Sequence, residues 1–170
     1  MADPAIDAPL WYFAYGSNLD RSIFIERRRM QPLATRWGWL GGYRLCFNIP
    51  IGPGERGVAN IEPDPTARTC GGLYLLRPED FDRLDRTEGV HLNVYRRLPL
   101  DVHTPEGECV AASAYYSSLT TTGRKPSPRY MRLILDGARQ HGLPGEWLNM
   151  LESFDLAIDE RATRSGGPEP

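Results

Sequence analysis

Tyr95-Arg-Arg-Leu-Pro-Leu-Asp-Val-His103 and Val110-Ala-Ala-Ser-Ala-Tyr-Tyr-Ser117 flank the turn string Pro105-Glu106-Gly107. Leu98, Leu100 and Val102 alternate with other residues, as the faces of a half-buried strand require. Pro and Gly in so short a connection predict a hairpin, hence antiparallel pairing. Working outward, further β-rich runs appear at 11–15, 43–49, 57–61 and 71–76. Gly41-Gly42, Gly52-Pro53-Gly54 and Gly71-Gly72 read as breaks between them.

Four helices interrupt the strands. The first is expected over about 20–29. The second starts at Pro78, carries Glu79, Asp80 and Asp82 early, and stops at Gly89. Pro at the first helical position, acidic residues in the first turn and a closing Gly suit the helix backbone and its dipole. The third has Ser127 as N-cap and Pro128 as first residue, and ends by Gly142, with Met131, Leu135 and Ala138 as its buried stripe. The fourth begins near Pro144 and buries Trp147, Met150, Leu151 and Phe154. No βαβ unit repeats. The pattern predicts an α+β domain with a mostly antiparallel, barrel-like β-sheet and flanking helices. That domain spans 10–158, with flexible tails at 1–9 and 159–170.

Composition excludes several classes of function. The chain has 170 residues, 41% of them hydrophobic and 25% charged, which is ordinary for one globular domain. A net charge of −2 does not suit nucleic-acid binding. No apolar run approaches the ~18 residues of a membrane span. The N-terminus lacks the basic start and apolar core of a signal peptide. Three widely spaced cysteines, Cys46, Cys70 and Cys109, suit a reducing compartment, so the expected location is cytoplasmic. His91, His103 and His141 form no HxxxH or HExxH pair, so no metal site is expected. Arg27-Arg28-Arg29 reads as a solvated helix face.

Two places invite a chemical reading. In Tyr12-Phe13-Ala14-Tyr15-Gly16-Ser17-Asn18-Leu19, a strand stops at Gly16 and a helix follows Asn18. Gly16 suggests a positive φ and close ligand approach. Ser17 and Asn18 are good N-cap types. Backbone N–H groups at such a turn make a small site for a carboxylate or an oxyanion. A merely well-capped turn is the plainer reading of the string. In Thr87-Glu88-Gly89-Val90, Glu88 falls at the negative end of the second helix. Such a position, with Val90 and Tyr95 nearby, raises a carboxyl pKa and suits a general base. An ordinary exposed Glu beside a Gly cap is the plainer reading. A Cys109–His103 nucleophile across the hairpin is a further alternative.

As an ordered set these segments resemble the γ-glutamylcyclotransferase (AIG2-like) family. The string from Tyr12 to Leu19 resembles its N-terminal substrate loop. Gly57-Val-Ala-Asn-Ile61 and Gly71-Gly-Leu-Tyr74 resemble its middle strands. Glu88-Gly-Val90 with Tyr95 resembles the segment holding its catalytic glutamate. Pro126-Ser-Pro-Arg-Tyr130, with Gly137-Ala138, Gly142-Leu-Pro144 and Glu146, resembles its closing helical region. The match covers about residues 10–155.

The resemblance implies a reaction. The α-amine of a small-molecule γ-glutamyl substrate attacks its own γ-carbonyl, releasing 5-oxoproline and an amine or amino acid, with no cofactor. Intramolecular attack in a held geometry is worth ~7–11 kcal/mol. The substrate's ammonium must first lose a proton, and the resemblance makes Glu88 the base and later the acid. It places Tyr12, Phe13, Ala14, Tyr15, Gly16, Ser17 and Tyr130 around the substrate. It weakly favours a homodimer. Two other readings stay open: a cyclotransferase for a specialised γ-glutamyl amine or pathway intermediate, and a non-catalytic member that binds a small metabolite.

Overall fold

The computed structural model describes residues 7–158. Most of the two expected tails therefore lies outside the described residues. Five strands form a closed barrel in the order β1-β3-β2-β4-β5. They are β1 (Leu10–Ala14), β2 (Ala34–Pro50), β3 (Gly57–Leu76), β4 (Arg96–His103) and β5 (Cys109–Tyr116). All neighbours run antiparallel except β1 and β5, which close the barrel in parallel through Trp11↔Ala112 and Tyr12↔Ser113. The helices are α1 (Pro78–Glu88), α2 (Pro128–Gln140) and α3 (Gly145–Glu152). Phe13, Leu40, Leu73, Leu76, Phe81, Val102, Ile134 and Leu151 are among the fully buried core.

The β4–β5 hairpin forms where the sequence predicts it. Its turn is closed by Gly107 N–H donating to Thr104 O at 3.0 Å, with Gly107 at φ +85°. The helix signals also hold. Gly89 caps α1 in the left-handed conformation, and Ser127 Oγ accepts from Tyr130 N–H at the start of α2.

Three expectations are corrected. The runs at 57–61 and 71–76 are one twenty-residue strand, β3. Pro63 and Pro65 do not end it because the β2–β3 register shifts between Gly41↔Arg68 and Tyr43↔Pro63. Pro65 falls among the β3 residues that bulge out between these pairs, and Pro63 stands at the edge of the bulge opposite Tyr43. Gly41-Gly42 and Gly71-Gly72 lie inside strands instead of between them. At Gly71 the reason is close approach: a Cβ there would sit 2.4 Å from Ala14 O and 2.7 Å from the Phe13 ring. The helix expected over 20–29 is a short 3-10 turn at Ser17–Leu19 followed by a π-type turn at Ser22–Arg27. The wide turn is closed by Arg28 N–H to Ile23 O at 2.9 Å, and Arg29 ends it at φ +55°. Asp20 caps it by accepting from Ser22 N–H at 2.9 Å.

Candidate active site

A cavity of about 220 Å³ opens where β1 and β5 finish. β1 brings Tyr12, and the turn after it brings Tyr15, Gly16, Ser17 and Asn18. α1 contributes its last residue, Glu88, and α2 its first-turn Tyr130. Val58 and Ala59 of β3, Tyr95, Tyr115 of β5, and Arg28 complete the lining. The start of β3 is held against the end of β5 by Asn60. Its Nδ2 donates to Ser117 O at 2.9 Å, and its Oδ1 accepts from Ser117 N–H at 3.0 Å.

Glu88 is 12% exposed at its side chain. Burial raises its pKa above the usual carboxylate range. The Arg28 guanidinium and the Asn18 hydrogen bond oppose that rise. Arg28 Nη1 lies 3.4 Å from Glu88 Oε1, and Asn18 Nδ2 donates to the same oxygen at 3.1 Å. The Arg28 contact is one of charge: Nη1 is buried and makes no hydrogen bond. Asn18 Nδ2 also donates to Tyr12 Oη at 2.9 Å. A buried carboxylate that can both hold and release a proton fits general acid–base work.

The turn at Gly16 differs from its expected form. Its φ is −113°, so glycine is not required by a left-handed backbone. The requirement is space: a Cβ would meet Ala59 Cβ at 3.1 Å and Tyr130 Oη at 3.2 Å. Neither Ser17 nor Asn18 caps a helix with its side chain. Asp20 takes the capping role, which frees the Asn18 amide to turn toward Glu88. Tyr130 Oη accepts from Ala59 N–H at 3.1 Å. Its pKa is pushed up to about 12, with burial as the main cause. Tyr15 donates its hydroxyl proton to Tyr115 O. Behind the turn, Gly137 of α2 packs so closely that a Cβ would sit 2.4 Å from Leu19 C.

Of the residues singled out in the sequence, Tyr12, Tyr15, Gly16, Ser17, Glu88 and Tyr130 line one cavity. Phe13 and Ala14 are fully buried and do not line it. Cys109 and His103 pair across the β4–β5 hairpin, and neither reaches the cavity. Arg28 departs from the solvated face expected of Arg27-Arg28-Arg29. Its side chain is only 20% exposed and turns toward Glu88. Nothing in a run of three arginines marks the middle one. Asn18, an N-cap type by its sequence, turns its amide toward Glu88 instead. Among the described residues, no three His, Cys, Asp or Glu side chains are grouped to hold a metal ion.

A second cleft of about 520 Å³ shares Ser17, Arg28 and Tyr130 with the first and adds Ile23, Arg27, Thr87 and Leu133. No helix of the described residues is long and apolar enough to cross a membrane.

Residues 68–151 match the AIG2-like family model. The chain is 30% identical over 152 residues to a γ-glutamylcyclotransferase of Bos taurus, a match covering 85% of this chain and 78% of that one. It is 34% identical over 150 residues to γ-glutamyl cyclotransferase verK of Clonostachys rogersoniana, covering 74% and 83%. Among solved structures, one described as a γ-glutamyl cyclotransferase superposes with a TM-score of 0.79 at 25% identity, covering 89% of this chain and 91% of that one. With this fold and this degree of likeness over most of its length, the chain belongs to the γ-glutamylcyclotransferase family.

Proposed function

We propose that this protein converts γ-glutamyl amino acids or amines into 5-oxoproline and the free amine. Glu88 is the general base and then the general acid. The observation that carries the reading is the shielded Glu88 carboxylate in one cavity with the Gly16–Ser17 turn and Tyr130. Glu88 takes a proton from the α-ammonium. The freed lone pair attacks the γ-carbonyl carbon of the same molecule and closes a five-membered ring, so the nucleophile needs no activation by a second residue. As the tetrahedral centre forms, its oxygen takes up negative charge and requires donors. N–H groups at the Gly16–Asn18 turn serve that oxygen or the substrate carboxylate. Protonated Glu88 then gives its proton to the departing nitrogen and, a carboxylate again, takes the second proton from the ring nitrogen, which carries two hydrogens after attack and one in the lactam; that proton passes on to the released amine.

The adjoining cleft at Arg27, Thr87 and Leu133 is the natural exit for the leaving amine. On this reading the substrate is a small molecule, the reaction uses no cofactor, and the enzyme works in the cytoplasm. The resemblance favours a homodimer. The test is a panel of γ-glutamyl dipeptides, γ-glutamyl amines and glutathione incubated with purified protein. The reading requires 5-oxoproline from at least one donor. Glutamate as the sole product would indicate hydrolysis and overturn it.

A further inference from the structure

Asn18 is 6% exposed and lines the cavity beside Glu88. Both N–H groups of its amide are used, one toward Tyr12 Oη at 2.9 Å and one toward Glu88 Oε1 at 3.1 Å. An ionised carboxylate only accepts hydrogen bonds, so it dictates which end of the amide faces it. That orientation leaves Asn18 Oδ1 buried with no hydrogen-bond partner. A buried amide oxygen without a donor is costly, and such groups collect at functional sites. The Asn18 bond and the Arg28 ion pair both fall on Oε1 of Glu88.

We propose that Asn18 Oδ1 is a second acceptor for the substrate's α-ammonium, so that Asn18 and Glu88 together select a primary α-amine; the proposal deepens the cyclotransferase reading and rests on it. The distances allow it. Oxygen and nitrogen of one amide are about 2.3 Å apart, so Oδ1 lies within about 5.4 Å of Glu88 Oε1, which is 3.1 Å from Nδ2. An ammonium bonding two oxygens at about 2.8 Å in tetrahedral directions spans about 4.6 Å. One nitrogen can therefore reach both residues. Proton transfer from nitrogen to the Glu88 carboxylate leaves a neutral amine with two N–H groups and one lone pair. Asn18 Oδ1 holds one of those N–H groups, which turns the lone pair toward the γ-carbonyl instead of letting the amine spin.

The test compares binding of L-glutamate, which has the α-amine but no reactive amide, with glutarate, which lacks the amine. Calorimetry is run on the wild type, Asn18→Leu and Asn18→Asp. The wild type is expected to prefer L-glutamate by about 10-fold or more. Asn18→Asp keeps an oxygen at this place and should keep the preference. Asn18→Leu should lose about 10-fold of it, with glutarate binding unchanged. If Asn18→Leu does not fold, Asn18→Ala is read in the same way. A wild type without the preference overturns the proposal, as does a folded Leu or Ala variant that retains it in full. Binding needs no turnover, so the two readings fail separately. Ring closure by a wild type whose Leu variant keeps the preference removes only the role of Asn18. The expected preference in a wild type that makes no 5-oxoproline supports the ammonium site and removes the ring-closure reading.

Discussion

Arg28 Nη1 lies 3.4 Å from Glu88 Oε1, the same carboxylate oxygen that accepts the Asn18 amide N–H at 3.1 Å. Both contacts stabilise the charged carboxylate, while the walls around it favour the neutral acid. Burial is the larger influence, so the group sits above the ordinary carboxylate range but is still drawn toward ionisation. A residue that must accept a proton and then return it works best in such a balance.

Replacing Arg28 with Met keeps much of the packing and removes the opposing charge. The Glu88 pKa then rises further, so the base is ionised only at higher pH. The acidic limb of the kcat/KM profile is expected above the usual glutamate value of about 4.3 in the wild type and higher still in Arg28→Met. Steady-state rates across the pH range check this; superimposable profiles would separate Arg28 from the base.

Glu88 also makes stability depend on pH. Its folded pKa is raised, so between the unfolded and folded values the folded state binds more protons. Wild-type stability therefore falls as pH rises through that window. Glu88→Gln cannot ionise and escapes this loss. It should melt above the wild type at neutral pH, and the difference should close below about pH 4. Thermal melts at several pH values decide the matter.

Gly16→Val tests the tightness of the turn. The new side chain starts 3.1 Å from Ala59 Cβ and 3.2 Å from Tyr130 Oη, so Tyr130 or the turn must move. Displacement of about 1 Å at a reacting centre can cost roughly 10²-fold in rate. A loss of about that size in kcat is expected, measured as 5-oxoproline released.

Gly137→Val acts from behind. Its Cβ would lie 2.4 Å from Leu19 C and 2.5 Å from Asp20 N, both backbone atoms that cannot swing aside. Separation of α2 from the turn should cost about 1–3 kcal/mol, a fall of roughly 2–12 °C in Tm. An unchanged melting curve would show that the two elements can part freely.

The hairpin around Pro105-Glu106-Gly107 and both ends of α1 were legible because local residues decide them: Gly107 and Gly89 adopt positive φ, and Pro78 opens a helix. The continuity of β3 was not legible. Pro63 and Pro65 look like breaks until the register shift opposite Gly41 and Tyr43 gives them a bulge. The cavity itself lies beyond local reading, since Glu88 and Asn18 are seventy residues apart in sequence. Only the ordered resemblance brought Glu88 and the Gly16 turn into one hypothesis. Arg28 escaped even that, because its inward course depends on the wide turn at Ser22–Arg27.

The most direct measurement compares wild type and Glu88→Gln on the best γ-glutamyl donor, following 5-oxoproline, free amine and glutamate together. The account predicts equal amounts of 5-oxoproline and amine from the wild type. A folded Glu88→Gln should be slower by about 10²–10⁴-fold. Near-normal turnover by Glu88→Gln, or amine release matched by glutamate, would contradict it.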